Sequence, residues 1–469
     1  MKKLFAILLA SVMVIGSLTL AGCTQEKKIE TVDYYCNVGA YRITLKAAID
    51  EFNAGAGKEA GVQINFLGDI DNYTTTLTAS MEAGTHYDLY DKGSGNQQWI
   101  NLGWVQDLEP LRAKYPELDA LVKSYEPYIQ KNINIQNNVL CNLPLEVVSL
   151  KYAVNTDLLA QIGKTADDIK TWEDMYQAAK AITDAKLTSP TGQSVYGFGW
   201  STWTACWTRL TFQTCVTSTG KSYWDPATGT YDFLQWKEPA EYIKKMYDEG
   251  IMYGADDLSI DNIRSWFSDG RIGFFGAPSY DYAVYTEQFP AKCNWTVIEP
   301  PTFGEHGGEY KGIYMDRCGP SIDRVNWDKA SDSKKAAIVK VLCFIDSDDL
   351  IQRIYEMGGM ISYKPEIAQK AKIKEGIGEQ WSKFGDIANY YSAPVFPDSI
   401  CKNYLESGDV ITTTIIDWMH SKWNNNPNAT FEEMATDLQN RYNAAYQKAK
   451  AEDKDIDFSA YEYPYSLKK

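Results

Sequence analysis

The chain has few histidines and, beyond its N-terminus, no long apolar run. Only His86, His306 and His420 occur among 469 residues, and none has the H-E-x-x-H spacing of a zinc hydrolase. No later stretch approaches the ~20 consecutive apolar residues of a membrane helix. These absences exclude a zinc hydrolase of that type and a protein that crosses the membrane several times.

Motifs for phosphate and calcium binding are incomplete as well. Gly220-Lys221-Ser222 resembles the end of a phosphate-binding loop, but Cys215 stands where that loop needs a glycine. Asp69-Ile70-Asp71-Asn72 lacks the remaining ligands of a calcium loop. The sequence therefore predicts no cofactor and no metal-ligating residues.

Positive charge is also scarce. The chain carries 46 Lys and Arg against 62 Asp and Glu, a net charge of −16. An acidic protein repels the phosphates of nucleic acid and the anionic surface of a bilayer. We therefore expect no nucleic-acid partner, and any membrane attachment has to come from something other than protein charge.

The N-terminus carries an export signal. An apolar run from Leu4 to Leu20 follows two lysines and leads into Leu20-Ala21-Gly22-Cys23, which predicts a signal peptide over residues 1–22. This string resembles a bacterial lipobox, and the resemblance implies cleavage before Cys23 and lipidation of its thiol. Residues 23–31 would then form a lipidated tether, and the protein would be anchored in the cell membrane on its extracytoplasmic face. An ordinary signal peptide that ends beside an incidental cysteine is the alternative.

Cysteines are spread singly through the rest of the chain. None lies in a C-x-x-C pair, so they indicate neither a zinc site nor a redox motif. Buried free thiols, with one or two disulfides in some pairing, fit this pattern. The residues concerned are Cys36, Cys141, Cys206, Cys215, Cys293, Cys318, Cys343 and Cys401.

Strand and helix patterns alternate in the first ordered part of the chain. The segments are Thr31–Tyr35, Ile43–Phe52, Val62–Phe66, Tyr73–Ala83 and Tyr87–Tyr90. Strands alternating with helices predict a βαβαβ unit with a parallel sheet.

Ligands of such sheets bind beyond the carboxyl ends of the strands. Asn37 and Tyr41 follow the first predicted strand, and Asp91 and Lys92 follow the third. We take these four residues as candidate ligand contacts. A turn with a helix start, and an exposed ion pair, are the respective alternatives.

Two later segments carry clear helix signals. Thr171 and Asp174 have the spacing of a capping box at a helix start. The segment Phe431–Lys450 is predicted to be a helix with one buried stripe. The stripe residues are Met434, Leu438, Tyr442, Ala445 and Ala449.

Several local patterns recur in the order and spacing of a known family over roughly residues 31–365. They are Ala83–Tyr90, Gly103–Leu111, Leu143–Leu159, Lys170–Lys180, Tyr196–Trp200 and Phe267–Phe275. The chain resembles the extracellular solute-binding proteins of ABC transporters, in the branch that includes maltose and oligosaccharide binders. Val154 departs from that pattern, because the family has an aromatic residue there.

The resemblance implies an α/β fold of the periplasmic-binding-protein type, with two discontinuous lobes, a hinge and a ligand cleft between the lobes. The expected N-terminal lobe is 32–143 plus 298–347, and the expected C-terminal lobe is 144–297 plus 348–469. The chain would pass between lobes near residues 142–146, 293–301 and 346–349.

Aromatic residues are the main candidates for ligand contacts. Fourteen Trp and 32 Tyr contribute to an aromatic content of 13%, and sugar rings present apolar faces that pack on aromatic planes. Trp200, Trp203 and Trp207 form the densest cluster. Their i, i+3 and i+7 spacing fits the buried face of a helix equally well.

Three further candidates follow from the resemblance. Glu146 falls at the first expected passage between lobes, although the family's acidic residue lies a little later, at Val148. Tyr280 ends a segment similar to the family's "GPW" turn, and Tyr391 would close the cleft or simply pack.

These features predict an extracellular substrate-binding lipoprotein of an ABC importer, without catalytic activity. It would bind a carbohydrate, preferably an oligosaccharide, by lobe closure and deliver it to the transmembrane permease subunits. We expect a monomer. The alternatives are a binding protein for a peptide or another small solute, and a lipid-anchored glycan-processing enzyme.

Overall fold

The structure, a computed structural model, describes ten segments of the chain: residues 28–36, 41–68, 73–91, 97–200, 222–253, 259–303, 312–387, 391–406, 410–454 and 456–465. Residues 312–317, 391, 392 and 410 are described by their backbone alone. The predicted lipidation site Cys23 lies outside the described residues.

The strands of these segments form two larger sheets and two sheets of two strands each. The small sheet has the order β14-β3-β1-β2, and the large sheet has the order β10-β7-β11-β6-β13-β16, with β12 and β15 also paired to β6. The strands are β1 (Glu30–Tyr35), β2 (Val62–Leu67), β3 (Leu89–Tyr90), β4 (Ile135–Gln136), β5 (Val139–Leu140), β6 (Pro144–Asn155), β7 (Tyr196–Gly199), β8 (Trp224–Asp225), β9 (Thr230–Tyr231), β10 (Met252–Tyr253), β11 (Ile272–Pro278), β12 (Trp295–Ile298), β13 (Gly312–Cys318), β14 (Ser321–Ile322), β15 (Ile361–Ser362) and β16 (Tyr391–Ser392).

The small sheet contains the predicted βαβαβ unit. Strand β1 pairs in parallel with both β2 and β3, and helices follow β1 and β2, as predicted. The tether prediction was two residues too long, because Glu30 and Thr31 already pair with Val62 and Gln63. Strand β14 adds to this sheet antiparallel to β3, from far along the chain.

Helices cover the sheets. The longer ones are Arg42–Ala54, Tyr73–Glu82, Pro116–Tyr125, Trp172–Asp184, Lys237–Asp248, Ile260–Ser268, Asp332–Ile345, Asp348–Glu356, Val410–Met419 and Phe431–Glu452. Shorter ones are Ala56–Ala60, Gln97–Asn101, Thr156–Gln161, Asp281–Ala283, Arg324–Lys329, Pro365–Lys370, Glu379–Gly385 and Asp398–Cys401. No helix in the described segments is long and apolar enough to cross a membrane.

The two helix predictions are confirmed. The Thr171 hydroxyl accepts a bond from the Asp174 amide at 3.1 Å, and the Asp174 carboxylate accepts one from the Thr171 amide at 2.9 Å. All five stripe residues of Phe431–Glu452 are buried. The 3.6-residue period therefore places this helix against the core correctly.

The two largest apolar cores among the described residues accompany the two larger sheets. The small-sheet core includes Val32, Tyr34, Leu45, Ile64, Leu89, Val122, Leu143, Leu145, Ile322, Leu342 and Ile351. The large-sheet core includes Tyr152, Val154, Trp172, Phe198, Trp200, Trp236, Phe274, Leu438 and Tyr442. Leu350, Ile351 and Ile354 pack in the small-sheet core, although they follow residue 347, where the sequence places a lobe boundary. The exact boundaries stay a prediction.

A glycine marks one passage between the sheets. The chain leaves β13 of the large sheet at Cys318 and enters β14 of the small sheet at Ser321. The Gly319 amide donates to the Leu143 carbonyl at 2.7 Å, and a Cβ on Gly319 would lie 2.3 Å from the Asp346 carboxylate. Within the segment 293–301, β12 pairs with the second half of β6, and the next strand, β13, pairs with its first half.

Among the described cysteines, none forms a disulfide. They are Cys36, Cys141, Cys293, Cys318, Cys343 and Cys401. Burial raises the pKa of four of these thiols, Cys141, Cys293, Cys343 and Cys401, to about 12. Because the thiolate is the reactive form, these residues are chemically quiet near neutral pH.

We therefore predict that the native protein protects these four thiols from iodoacetamide at pH 8. With a pKa of about 12 only about one thiol in ten thousand is ionised at that pH. Peptide mass spectrometry after timed labelling measures the reaction, with urea-unfolded protein as the control. Labelling of any of the four as fast in the native as in the unfolded chain would contradict the prediction.

Candidate functional site

Strand β6 connects the two cores. All twelve of its residues are buried. Its first half pairs with β13 and β15, and its second half pairs with β11 and β12. Leu145 packs in the small-sheet core, while Tyr152 packs in the large-sheet core. The side chains midway along β6 therefore lie where the two cores meet.

Glu146 is the charged residue on one face of this strand. Because side chains alternate along a strand, Glu146, Val148 and Leu150 share that face. Glu146 is 1% exposed, and the Tyr41 hydroxyl donates to its Oε2 at 3.3 Å. The same hydroxyl lies 3.4 Å from the Met360 sulfur. The structure thus joins two predicted site residues that are 105 positions apart.

Asp91 lies at the carboxyl end of β3 in a network of tyrosines. The Tyr34 hydroxyl donates to Asp91 Oδ1 at 2.9 Å. The Asp91 amide donates to the Tyr35 carbonyl at 3.0 Å and lies 3.1 Å from the Tyr73 hydroxyl. Asp91 is 4% exposed, so the carboxylate is held in place at the sheet edge where parallel sheets bind ligands.

Tyr280 reaches the same face of β6 from the large sheet. It follows β11 and is partly buried against Val148 and Leu150, together with Ile260 and Phe396. Tyr280 therefore lies beside the row of side chains that begins at Glu146. Tyr280 thus packs against an apolar residue, Val148, at the position where the resemblance implies an acidic residue.

Trp200 lies in the large-sheet core and not in the row of side chains on β6. It is 2% exposed and belongs to the large-sheet core, and its amide donates to the Tyr253 carbonyl at 3.1 Å. These contacts are those of a packing residue. Tyr391 is described only by its backbone, in β16. The candidates Asn37, Lys92, Trp203 and Trp207 lie outside the described residues.

An ion pair that the sequence did not predict lies beside Tyr280. Arg264 Nη2 lies 2.6 Å from Asp281 Oδ1, and Arg264 Nη1 lies 3.1 Å from Asp261. The Arg264 guanidinium is 5.9 Å from the centre of the Tyr280 ring. Burial raises the pKa of Asp281 to about 6, while Arg264 acts in the opposite direction. Only the i, i+3 spacing of Asp261 and Arg264 was visible in the sequence.

Phe396 was missed for a similar reason. Its ring stacks on Tyr223 with centroids 4.6 Å apart and an interplanar angle of 7°. The Tyr223 hydroxyl donates to Asp398 Oδ2 at 2.6 Å, which fixes the stacked pair. Phe396 has no motif around it, and its partner lies 173 positions earlier.

The arrangement combines hydrogen-bonding groups with flat apolar surfaces. A buried carboxylate and a phenol hydroxyl stand at one end of the β6 row, and aromatic rings stand at the other. Such a lining suits a molecule that has both hydroxyl groups and apolar ring faces. The row from Glu146 to Leu150 extends about 13 Å at strand spacing.

Comparison with known proteins gives one family match. The family described as "Bacterial extracellular solute-binding protein" matches residues 41–338. No curated protein matches the chain.

Solved structures with the same fold are distant in sequence. An ABC substrate-binding protein from Listeria monocytogenes, in complex with cycloalternan, is 17% identical with a TM-score of 0.62, over 90% of this chain and 100% of that chain. The maltose-bound MalE3 of T. maritima is 16% identical with a TM-score of 0.66, over 89% and 99%. A chitin oligosaccharide binding protein is 14% identical with a TM-score of 0.65, over 89% and 99%. These likenesses confirm the predicted two-lobe fold.

The burial of Trp200 predicts a structural effect on substitution. Trp200→Ala should lower the free energy of unfolding by about 3–5 kcal/mol, because it leaves a cavity in the large-sheet core. Urea denaturation measures the change, and Trp200→Phe, which keeps an aromatic ring, should cost clearly less. A Trp200→Ala loss below about 0.5 kcal/mol, the range of surface substitutions, would show that Trp200 is not a packing residue.

Proposed function

Because the chain belongs to the family of bacterial extracellular solute-binding proteins, we propose that it captures a carbohydrate between its two lobes for an ABC importer. The observation that carries the proposal is the row of side chains on β6. Tyr41 and Glu146 meet at its small-sheet end, and Tyr280 packs on it from the large sheet.

A carbohydrate fits this row chemically. A sugar presents hydroxyl donors to the Glu146 carboxylate and its apolar face to the Tyr280 ring. The solved relatives named above are described with cycloalternan, maltose and chitin oligosaccharide, which supports the same ligand class here. A row about 13 Å long favours an oligosaccharide over a single sugar.

Binding of this kind drives lobe closure. A ligand that touches Tyr41 and Glu146 on one side and Tyr280 on the other makes all its contacts only when the lobes are together, so it stabilises the closed state. Exposed polar groups also make a contact away from β6. Lys131 Nζ lies 2.9 Å from Asp457 Oδ2, and the Asn132 amide group donates to the Asp457 carbonyl at 2.7 Å.

The proposed contacts are Tyr41, Asp91, Glu146 and Tyr280, and Trp200 is proposed as a packing residue. The remaining sequence candidates stay predicted contacts: Asn37, Lys92, Trp203, Trp207 and Tyr391. We further propose a monomer without catalytic activity, held on the extracytoplasmic face of the membrane by lipid at Cys23. From there it would pass its sugar to the transmembrane subunits of the permease.

A melting screen tests the ligand class. Maltotriose, raffinose and chitotriose are added separately, with tripeptides as the competing class. A sugar present at about 100 times its dissociation constant should add about 2.7 kcal/mol to the free energy of unfolding and raise the melting temperature accordingly. Stabilisation by peptides and by none of the sugars would overturn the carbohydrate assignment. Release of reducing ends from a sugar would show an enzyme instead.

Variants test the site. Tyr280→Ala and Glu146→Gln should each weaken binding of the sugar found in the screen by about 1–2 kcal/mol, roughly five- to thirtyfold, because each removes one contact from the β6 row. Isothermal titration measures the dissociation constant, and circular dichroism checks folding. Tyr196→Ala, at the amino end of β7, is the matched tyrosine control. If both site variants bind as tightly as this control, the ligand does not lie on the β6 row.

A further inference from the structure

The end of strand β11 holds a buried carboxylate that the proposed function does not use. Asp281 follows Tyr280 directly and is 0% exposed. Its Oδ1 lies 2.6 Å from Arg264, whose side chain is 13% exposed. Its Oδ2 is buried and has no hydrogen-bond partner in the described part of the chain. A half-satisfied buried charge is costly and calls for an explanation.

The two members of the ion pair lie on different sides of Tyr280: Arg264 is near its ring, and Asp281 follows it in the chain. Ile260 and Arg264 lie on one helix, Ile260–Ser268. Ile260 packs against Val148 and Leu150, as Tyr280 does, and the Arg264 guanidinium lies 5.9 Å from the centre of the Tyr280 ring. The Tyr280 carbonyl accepts from the Ala283 amide at 3.1 Å, in the short helix that Asp281 begins. The bond between Arg264 and Asp281 therefore connects the helix beside Tyr280 to the residue that follows Tyr280 in the chain.

We propose that Arg264 and Asp281 are positioning residues for Tyr280, and that protonation of Asp281 loosens this arrangement and weakens sugar binding. The inference rests on the proposed function, because it assumes that Tyr280 contacts the sugar. It extends that function to a dependence of affinity on pH, set by a residue that does not itself touch the ligand.

Burial and the charges around Asp281 set the pH range in which its carboxylate takes up a proton. Arg264 lowers its pKa and Asp261 raises it, both from the helix Ile260–Ser268, while burial is the largest influence and brings the pKa to about 6. On the β6 side, uncharged Ser149 bonds to the backbone two residues before Asp281: its carbonyl accepts from the Ser279 amide at 2.9 Å, and its hydroxyl donates to the Phe384 carbonyl at 2.7 Å. Asp281 thus changes charge within about one unit of pH 6.

The expected loss of sugar affinity follows from the fraction of the protein in which Asp281 is charged. If only the charged form of Asp281 positions Tyr280, a pKa of about 6 leaves about a quarter of the protein competent at pH 5.5 and nearly all of it at pH 7.5. The dissociation constant should then rise about fourfold between pH 7.5 and pH 5.5.

The free energy of unfolding should change with pH in the opposite direction to sugar affinity. The folded pKa of Asp281 lies above its ordinary value, so the folded state binds the proton more tightly than the unfolded state does. The contribution of Asp281 to the free energy of unfolding therefore increases as pH falls through 6. Weaker binding at low pH would accordingly not reflect unfolding at this residue.

Two readouts test the proposal, one with sugar and one without. Isothermal titration with the best sugar of maltotriose, raffinose and chitotriose is run at pH 7.5 and pH 5.5. In parallel, 3-fluorotyrosine at position 280 reports the ring's surroundings by fluorine NMR in the sugar-free protein. The variants are Asp281→Asn, which mimics the protonated acid, Arg264→Met, and the charge-conserving Arg264→Lys.

The wild type should bind about fourfold more weakly at pH 5.5, and its fluorine signal should titrate near pH 6. Asp281→Asn should bind weakly at both pH values, with no titration of the signal, and Arg264→Lys should bind more tightly than Arg264→Met. Glu51→Gln, which removes the exposed carboxylate partner of Arg353, is the control and should behave as the wild type.

Wild-type affinity of Asp281→Asn at both pH values, with an unchanged fluorine titration, would overturn the proposal and leave a purely structural ion pair. If the wild type binds none of the sugars, the proposed function fails, and the fluorine titration alone decides whether the pair positions Tyr280.

Discussion

The structure depends on one strand that is buried from end to end. Strand β6 exchanges backbone hydrogen bonds with four other strands, and its side chains enter both apolar cores. A charge on such a strand has to be held by partners, because a buried carboxylate is costly when left alone. For Glu146, the Tyr41 hydroxyl supplies a hydrogen bond to the carboxylate. The same contact places a polar group where the two cores meet, so the packing constraint and the candidate site have one origin.

The sequence predicted the local elements well because their signals are local. The alternation at Val62–Phe66 and the helical stripe from Met434 to Ala449 both correspond to elements in the structure. The capping box at Thr171 was readable for the same reason, since its two partners are three residues apart. The parallel arrangement of the first sheet followed from the order of these elements.

Long-range contacts explain what the sequence did not show. Asp281 and Arg264 are 17 positions apart, and only folding buries the carboxylate. The passage at Gly319 depends on Asp346, which lies on another element. Phe396 owes its fixed orientation to Tyr223. Tyr41 and Glu146 were both candidates from the sequence, yet their contact joins residues 105 positions apart, and no local pattern encodes it.

We propose that a sugar binds on the Glu146–Leu150 face of β6, between the two cores. A crystal structure of the protein with a bound oligosaccharide tests it most directly. We expect the sugar along this face, within hydrogen-bond distance of Glu146 and stacked on Tyr280. A sugar bound elsewhere, in contact with residues of only one core, would contradict it.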